Sequence, residues 1–197
     1  MTKRRLLEAS AALGASHVKV GDFYGGAWPL QRAVDAFGEL CRDAAGYGAT
    51  IGFEFMKGNY LGTLAEALEL VAKTNAPNGG LIIDIVQQVG LGIPLADIRR
   101  IPAAFLVGVE LNDGLLPGAP GFDAAARRFC GEGEFDVRGF IAAVQAAGYR
   151  GPWSVEVFNR AYARLPLDEL NRRAYATTMA MFASGAAAAP GAEGGAR

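Results

Sequence analysis

Residues 50–86 read TIGFEFMKGNYLGTLAEALELVAKTNAPNGGLIIDIV, and the two ends of this stretch differ in period from its middle. TIGFEF is a short β-branched and aromatic run, and GGLIID is a continuous apolar run of the kind a strand takes when it is covered on both faces. Between them, residues 62–73 carry apolar side chains at helical spacing, with Thr63 placed to cap the first turn. Strand, helix and strand in that order make a β-α-β unit, which requires parallel strands and a right-handed crossover.

The same alternation continues in both directions. Upstream, residues 6–13 read as a helix closed by Gly14, residues 17–20 as a strand, and residues 30–45 as a helix opened by Pro29 and closed by Gly46 and Gly48. Downstream come a strand over 80–86, a short helix over 94–99, a strand over 105–111, a helix over 136–147 with Asp136 as its cap, a strand over 153–158 and a helix from Leu167 to about Phe182. The polar loop 112–135 is long for a compact domain, and loops of that kind usually carry function. Five parallel strands fit an open doubly wound sheet or part of a (β/α)8 barrel. No Gly-rich dinucleotide fingerprint follows a strand and no GxxxxGK occurs, which removes the main support for the open sheet. The expected domain covers 1–183, followed by a disordered Ala/Gly-rich tail over 184–197.

Composition narrows the function classes. The chain has 197 residues, 51% of them hydrophobic, and 19 Lys plus Arg against 20 Asp plus Glu. A net charge of −1 without a basic patch gives no surface for tracking phosphates, so nucleic acid is not expected as a partner. No apolar run approaches the roughly 20 residues of a membrane span, and the start lacks a secretory apolar region, so a cytoplasmic location is expected. One histidine, His17, and two separated cysteines, Cys41 and Cys130, cannot assemble a His/Cys metal centre, so any metal is held by oxygen.

The acids give the chemical signal. Glu54, Asp84, Glu110 and Glu156 each stand at the end of an apolar strand pattern. In a parallel sheet or barrel those ends share one face, so the four side chains are expected to converge. Such a cluster repels itself unless a divalent cation neutralises it or some members keep their protons. All-oxygen ligation favours Mg²⁺ or Mn²⁺.

At these residues the chain resembles the sugar phosphate isomerase/epimerase superfamily, the xylose isomerase-like TIM barrels. The resemblance is carried by ATIGFEF (49–55), NGGLIIDIVQ (78–87), FLVGVELND (105–113) and CGEGEFDVRGFIAAVQAAGYRGPWSVEVFN (130–159), and it covers the C-terminal five-eighths of such a barrel. It implies a partial barrel lacking three N-terminal β/α units. It also implies a divalent metal on Glu54, Asp84, Glu110 and Glu156, with Glu110 standing where the family has His. Glu54 and Glu156 are implied as the catalytic pair that moves a proton beside a substrate carbonyl, with a sugar-like small molecule as substrate. An Arg before the Gly-Glu-Gly loop, Arg128 or its neighbour Arg127, is implied to contact substrate. Gln87 stands where the family often has a second His, and Lys57 can reach the mouth of the barrel. Asn112 and Asp113 are expected to support the ligands, His17 to be structural, and Trp153 to pack in the barrel wall.

The implied activity is that of an isomerase or epimerase. A dehydratase of the 3-dehydroshikimate or inosose type needs nearly the same site, and a degenerate, non-catalytic barrel stands beside both. Five strands also leave an open edge, from which either a longer parent gene or self-association through that edge is expected.

Overall fold

In the computed structural model, which describes residues 2–22, 26, 28–123 and 126–183, five parallel strands follow one another in chain order. They are β1 (His17–Gly21), β2 (Thr50–Glu54), β3 (Gly79–Asp84), β4 (Leu106–Leu111) and β5 (Trp153–Val155). Each pairs with the next, and the sheet curls into a half-barrel with helices around it. The helices are α1 (Lys3–Ala12), α2 (Leu30–Ala45), α3 (Leu64–Thr74), α4 (Ile85–Gly90), α5 (Leu95–Ile98), α6 (Val137–Ala146) and α7 (Leu167–Ala183). The tail expected over 184–197 lies outside the described residues. Among the described residues no helix is long and apolar enough to cross a membrane.

Local chemistry sets the helix ends. Thr63 and Glu66 form a reciprocal capping box on α3, and Asn75 closes that helix in the left-handed region at φ 48°. The Asp136 carboxylate accepts the Gly139 N–H at 2.8 Å and caps α6. Two of the boundaries that differ from the sequence reading bear on the site. The third strand stops at Asp84, whose side chain accepts the Val86 N–H at 3.0 Å and starts α4. An apolar, β-branched Ile85-Val86 pair hid that cap. The last strand ends at Val155, although the Glu156 N–H still bonds the Leu111 carbonyl at 3.1 Å.

The two-residue period of the strands divides their side chains between two faces. Ile51, Phe53, Leu81, Ile83, Val109 and Leu111 belong to the buried apolar core together with Phe37, Leu70, Val71, Phe140 and Val144 of the helices. Trp153 stands edge-on to Tyr149 and to Phe182, and so packs in the wall. The opposite face carries Lys19, Gly52, Glu54, Ile82, Asp84, Gly108 and Glu110 by the same alternation. His17 begins β1 at the other end of the sheet, its ring nitrogen 3.1 Å from the Ser16 hydroxyl. Cys41 and Cys130 are free thiols, both buried.

One layer below Asp84 and Glu110 and level with Glu54, Ile82 fills the space left open by two glycines. A Cβ would lie 2.5 Å from Cδ1 of Ile82 at Gly52 and 2.7 Å at Gly108. Overpacking of this kind costs about 1–3 kcal/mol. Gly108→Ala is therefore expected to lower the unfolding free energy by about that amount in urea titrations. In an Ile82→Val background, which lacks Cδ1, the added cost should fall below about 1 kcal/mol.

Candidate active site: a carboxylate cage

The four acids meet. Parallel register sets Asp84 beside Glu110 and Glu110 beside Ser154, while Glu54 pairs with Ile82, one pleat below Asp84. One carboxylate oxygen from each of Glu54, Asp84, Glu110 and Glu156 lies within 4.8 Å of all the others. Glu54, Asp84 and Glu110 are buried and Glu156 is partly open.

Two side-chain cations sit among them. The Lys19 ammonium lies 3.1 Å from Glu54, 2.9 Å from Glu110 and 2.6 Å from Glu156. One Arg127 nitrogen donates to Asp84 at 3.0 Å and to Glu156 at 2.6 Å. Lys19 was not singled out in the sequence reading, yet its signal was there. In HVKV the alternation that buries Val18 sends Lys19 to the opposite, acid-bearing face. Its Cα is level with Gly52, one pleat below Glu54, and its four-carbon stem spans the difference.

Burial and these cations pull the carboxyls apart in proton affinity. Burial raises Asp84 to about 7, against the opposing pull of Arg127, the Val86 N–H and the Asn112 amide. Burial likewise raises Glu54 and Glu110, with Lys19 opposing it in both. Burial pushes Glu156 up too, but hydrogen bonds from Lys19 and Arg127 outweigh it and hold the group below its ordinary value. For Lys19, burial disfavours the charge, while its bonds to Glu156 and Glu110 prevail and raise its pKa.

The other expected site residues fall in three places. Lys57 and Gln87 line a cavity of about 210 Å³ together with Val86, Gly90, Pro117, Phe122 and Arg127, so this recess shares Arg127 with the cage. The Lys57 ammonium donates to the Gly90 carbonyl at 2.8 Å, and the Lys57 N–H donates to the Gln87 side-chain oxygen at 3.2 Å. Arg128 does not join the cluster. Its backbone pairs with Asp113, and its guanidinium donates to the Glu132 carbonyl at 3.0 Å. Arg127, one residue earlier, faces the acids. Asn112 donates to Asp84 at 2.7 Å, and its own amide oxygen is buried without a hydrogen-bond partner among the described residues. Asp113 accepts the N–H groups of Gly114, Gly131 and Phe135 at 2.8–2.9 Å and so shapes the loop beside the site.

The spacing of the four donor oxygens suits a small cation with oxygen ligands at about 2.0–2.6 Å. The ammonium of Lys19 stands within hydrogen-bond range of three of those carboxylates.

Comparison with known proteins places the fold and its relatives. A family profile described as a xylose isomerase-like TIM barrel matches residues 3–184. A 3-dehydroshikimate dehydratase of Pseudomonas aeruginosa is 34% identical over 147 residues, which span 68% of this chain and 23% of the dehydratase. An inosose isomerase of Bacillus subtilis is 25% identical over 155 residues, spanning 75% of this chain and 54% of the isomerase. The chain thus spans about a quarter to a half of the length of these relatives. Among solved structures, the IolI protein with a bound zinc atom superposes with a TM-score of 0.84 at 22% identity, covering 92% of this chain and 68% of that one. A D-allulose 3-epimerase of a Methylomonas species superposes with a TM-score of 0.71 at 20% identity, covering 93% of this chain and 67% of that one.

The raised carboxyls fix the sign of a pH dependence in metal-free protein. Between the ordinary Asp value of 3.8 and about 7, folded Asp84 holds a proton that the unfolded chain has released. Glu54 and Glu110 act in the same direction, and His17, whose pKa burial lowers from its ordinary 6.5, opposes them by giving up a proton on folding. Folding therefore takes up protons in this window, and stability falls as pH rises. The lowered Glu156 acts oppositely, but only below its ordinary value of 4.5. Urea unfolding in EDTA should show greater stability at pH 5.5 than at 7.5, by up to ~1.4 kcal/mol per pH unit for each proton taken up. Asp84→Asn should flatten the slope.

Proposed function

This chain belongs to the xylose isomerase-like TIM barrel family, and on that premise we propose that it is an isomerase- or epimerase-type enzyme acting on a sugar or another polyhydroxylated carbonyl compound. The observation that carries this reading is the meeting of Glu54 and Glu156, from strands far apart in sequence, in a cage that shares Arg127 with a recess lined by Lys57 and Gln87.

A carbon beside a carbonyl loses its proton to a carboxylate far more readily when a second carboxyl returns one in the same pocket. In our reading Glu54 and Glu156 form that pair. Arg127, rather than Arg128, orients a substrate oxygen, because its guanidinium stands at the junction of cage and recess. Lys57 and Gln87 bound the space for the remaining hydroxyls. The chemistry of the donor set supports a divalent ion on Glu54, Asp84, Glu110 and Glu156, with Mg²⁺ or Mn²⁺ preferred by four hard oxygens. When bound, such an ion would draw electron density from substrate oxygens and acidify the neighbouring C–H. Self-association through the outer edge of β1 belongs to the same reading, since that edge has no strand beside it among the described residues.

A dehydratase is the second reading, favoured by the 34% and 32% identities to two Pseudomonas 3-dehydroshikimate dehydratases. It shares the first step. A carboxylate takes the C–H proton, after which the C–O bond at the next carbon breaks and the hydroxyl leaves with a proton as water.

Incubation with Mn²⁺ or Mg²⁺ in deuterium oxide, with ketohexoses, inosose or 3-dehydroshikimate, separates these readings by proton NMR. Deuterium entering beside the carbonyl, with an epimer or isomer appearing, supports the first. Loss of water to a new carbon–carbon double bond supports the second. Glu54→Gln and Glu156→Gln should each slow either reaction at least about a hundredfold. No exchange with any substrate would leave the non-catalytic barrel and overturn both.

A further inference from the structure

We propose, resting on the metal site just described, that Lys19 is an exchangeable internal cation: its ammonium holds the cage together in the absence of an ion and must withdraw for a divalent ion to enter. Lys19 meets carboxylates from β2, from β4 and from the residue after β5, at 3.1, 2.9 and 2.6 Å. These are three of the four groups whose oxygens form the candidate metal cluster.

The two cations of the cage differ in what holds them. One guanidinium nitrogen of Arg127 also donates to the Glu156 backbone carbonyl at 3.2 Å, and Arg127 is held through its backbone as well as its side chain. Its N–H bonds the Phe158 carbonyl at 3.0 Å, the Asn159 amide bonds its carbonyl at 2.8 Å, and its guanidinium carbon lies 4.9 Å from the centre of the Phe158 ring. Its side chain is only 11% exposed. The Lys19 side chain is 27% exposed on a flexible stem, and among the described residues its ammonium is tied by ion pairs alone. Withdrawal of Lys19 therefore breaks no backbone contact.

A second, separate observation points to a missing ligand. Asn112 is fully buried and donates to Asp84, while its amide oxygen has no hydrogen-bond partner among the described residues. A buried, unpartnered acceptor on the side chain that bonds Asp84 is a costly arrangement. A covalent role for Lys19 does not fit, because an ammonium shared by three carboxylates has no lone pair to attack a carbonyl.

The test compares wild type, Lys19→Met and Lys19→Arg by calorimetric titration with Mn²⁺ and by thermal unfolding in EDTA. Lys19→Met should bind Mn²⁺ about ten- to a thousandfold more tightly, the range over which one neighbouring unit charge shifts a site's affinity for a proton. It should melt lower in EDTA and gain more from Mn²⁺ than wild type does. Lys19→Arg, which keeps the charge, should restore metal-free stability and weak binding. If Lys19→Met folds only with Mn²⁺, the ion has taken over the task of the ammonium, which also supports the proposal.

A second readout needs no variant to fold. The chain has four lysines, Lys3, Lys19, Lys57 and Lys73, so carbon-13 labelled lysine gives a countable spectrum. One ε-methylene signal should move and saturate as Mg²⁺ is added. Mn²⁺ binding that is lost in Glu54→Gln but not strengthened in Lys19→Met would overturn the proposal and leave the metal site standing. Lysine signals unmoved at saturating Mg²⁺ would do the same. No binding by wild type or by Lys19→Met would overturn both.

Discussion

Like charges set the terms for this molecule. Four carboxylates at the ends of parallel strands, three of them buried, cannot all be ionised without cations at close range. The C-terminal end of the sheet is arranged around that demand. Lys19 reaches it from within the sheet, and Arg127 reaches it from the loop that follows β4. Asp84 joins the two halves of the arrangement, accepting from Arg127 and from Asn112 while its other contact starts α4. One side chain thus ends a strand, caps a helix and belongs to the site, and this is why the strand and the helix abut with no loop between them.

The sequence was most readable where two signals coincided. An apolar run that ends in an acid marks both a buried strand and a functional end, and Glu54, Asp84, Glu110 and Glu156 converge as that pattern requires. Capping residues were readable for the same reason, since Thr63 and Asp136 need only their immediate neighbours. Arg127 and Arg128 were not separable, because adjacent residues in an extended segment point to opposite sides and only pairing decides which points inward. The bridge between Asp113 and Arg128 makes that decision. Lys19 went unnoticed because a lone lysine in a strand usually faces water. Its inward side is defined by the acids of strands encoded far downstream.

The sheet separates two kinds of stabilisation. Its helix-facing side is a continuous apolar core, in which burial supplies the main driving force. Its inner side carries Ile82 between Gly52 and Gly108 and Val107 against Gly52 and Gly80, and charge balance governs what lies above. Binding chemistry at the strand ends can therefore vary without repacking the core. This fits a family whose solved relatives share the fold at identities near 20%.

The loop after β4 carries this separation further. Its base is pinned by Asp113, which accepts three backbone N–H groups. At Gly133 any side chain would collide with that same carboxylate and with the Gly114 backbone. Glu132, between these points, is clamped by the Tyr162 hydroxyl and by Arg173 of α7. The base cannot change length without losing those bonds, whereas residues 116–122 are largely exposed. Insertions and deletions are thereby confined to the tip, and Pro117 and Phe122 of that tip border the recess. A lineage of such proteins could explore new substrates by lengthening or shortening this tip while the positions of the charged groups beneath it stayed fixed.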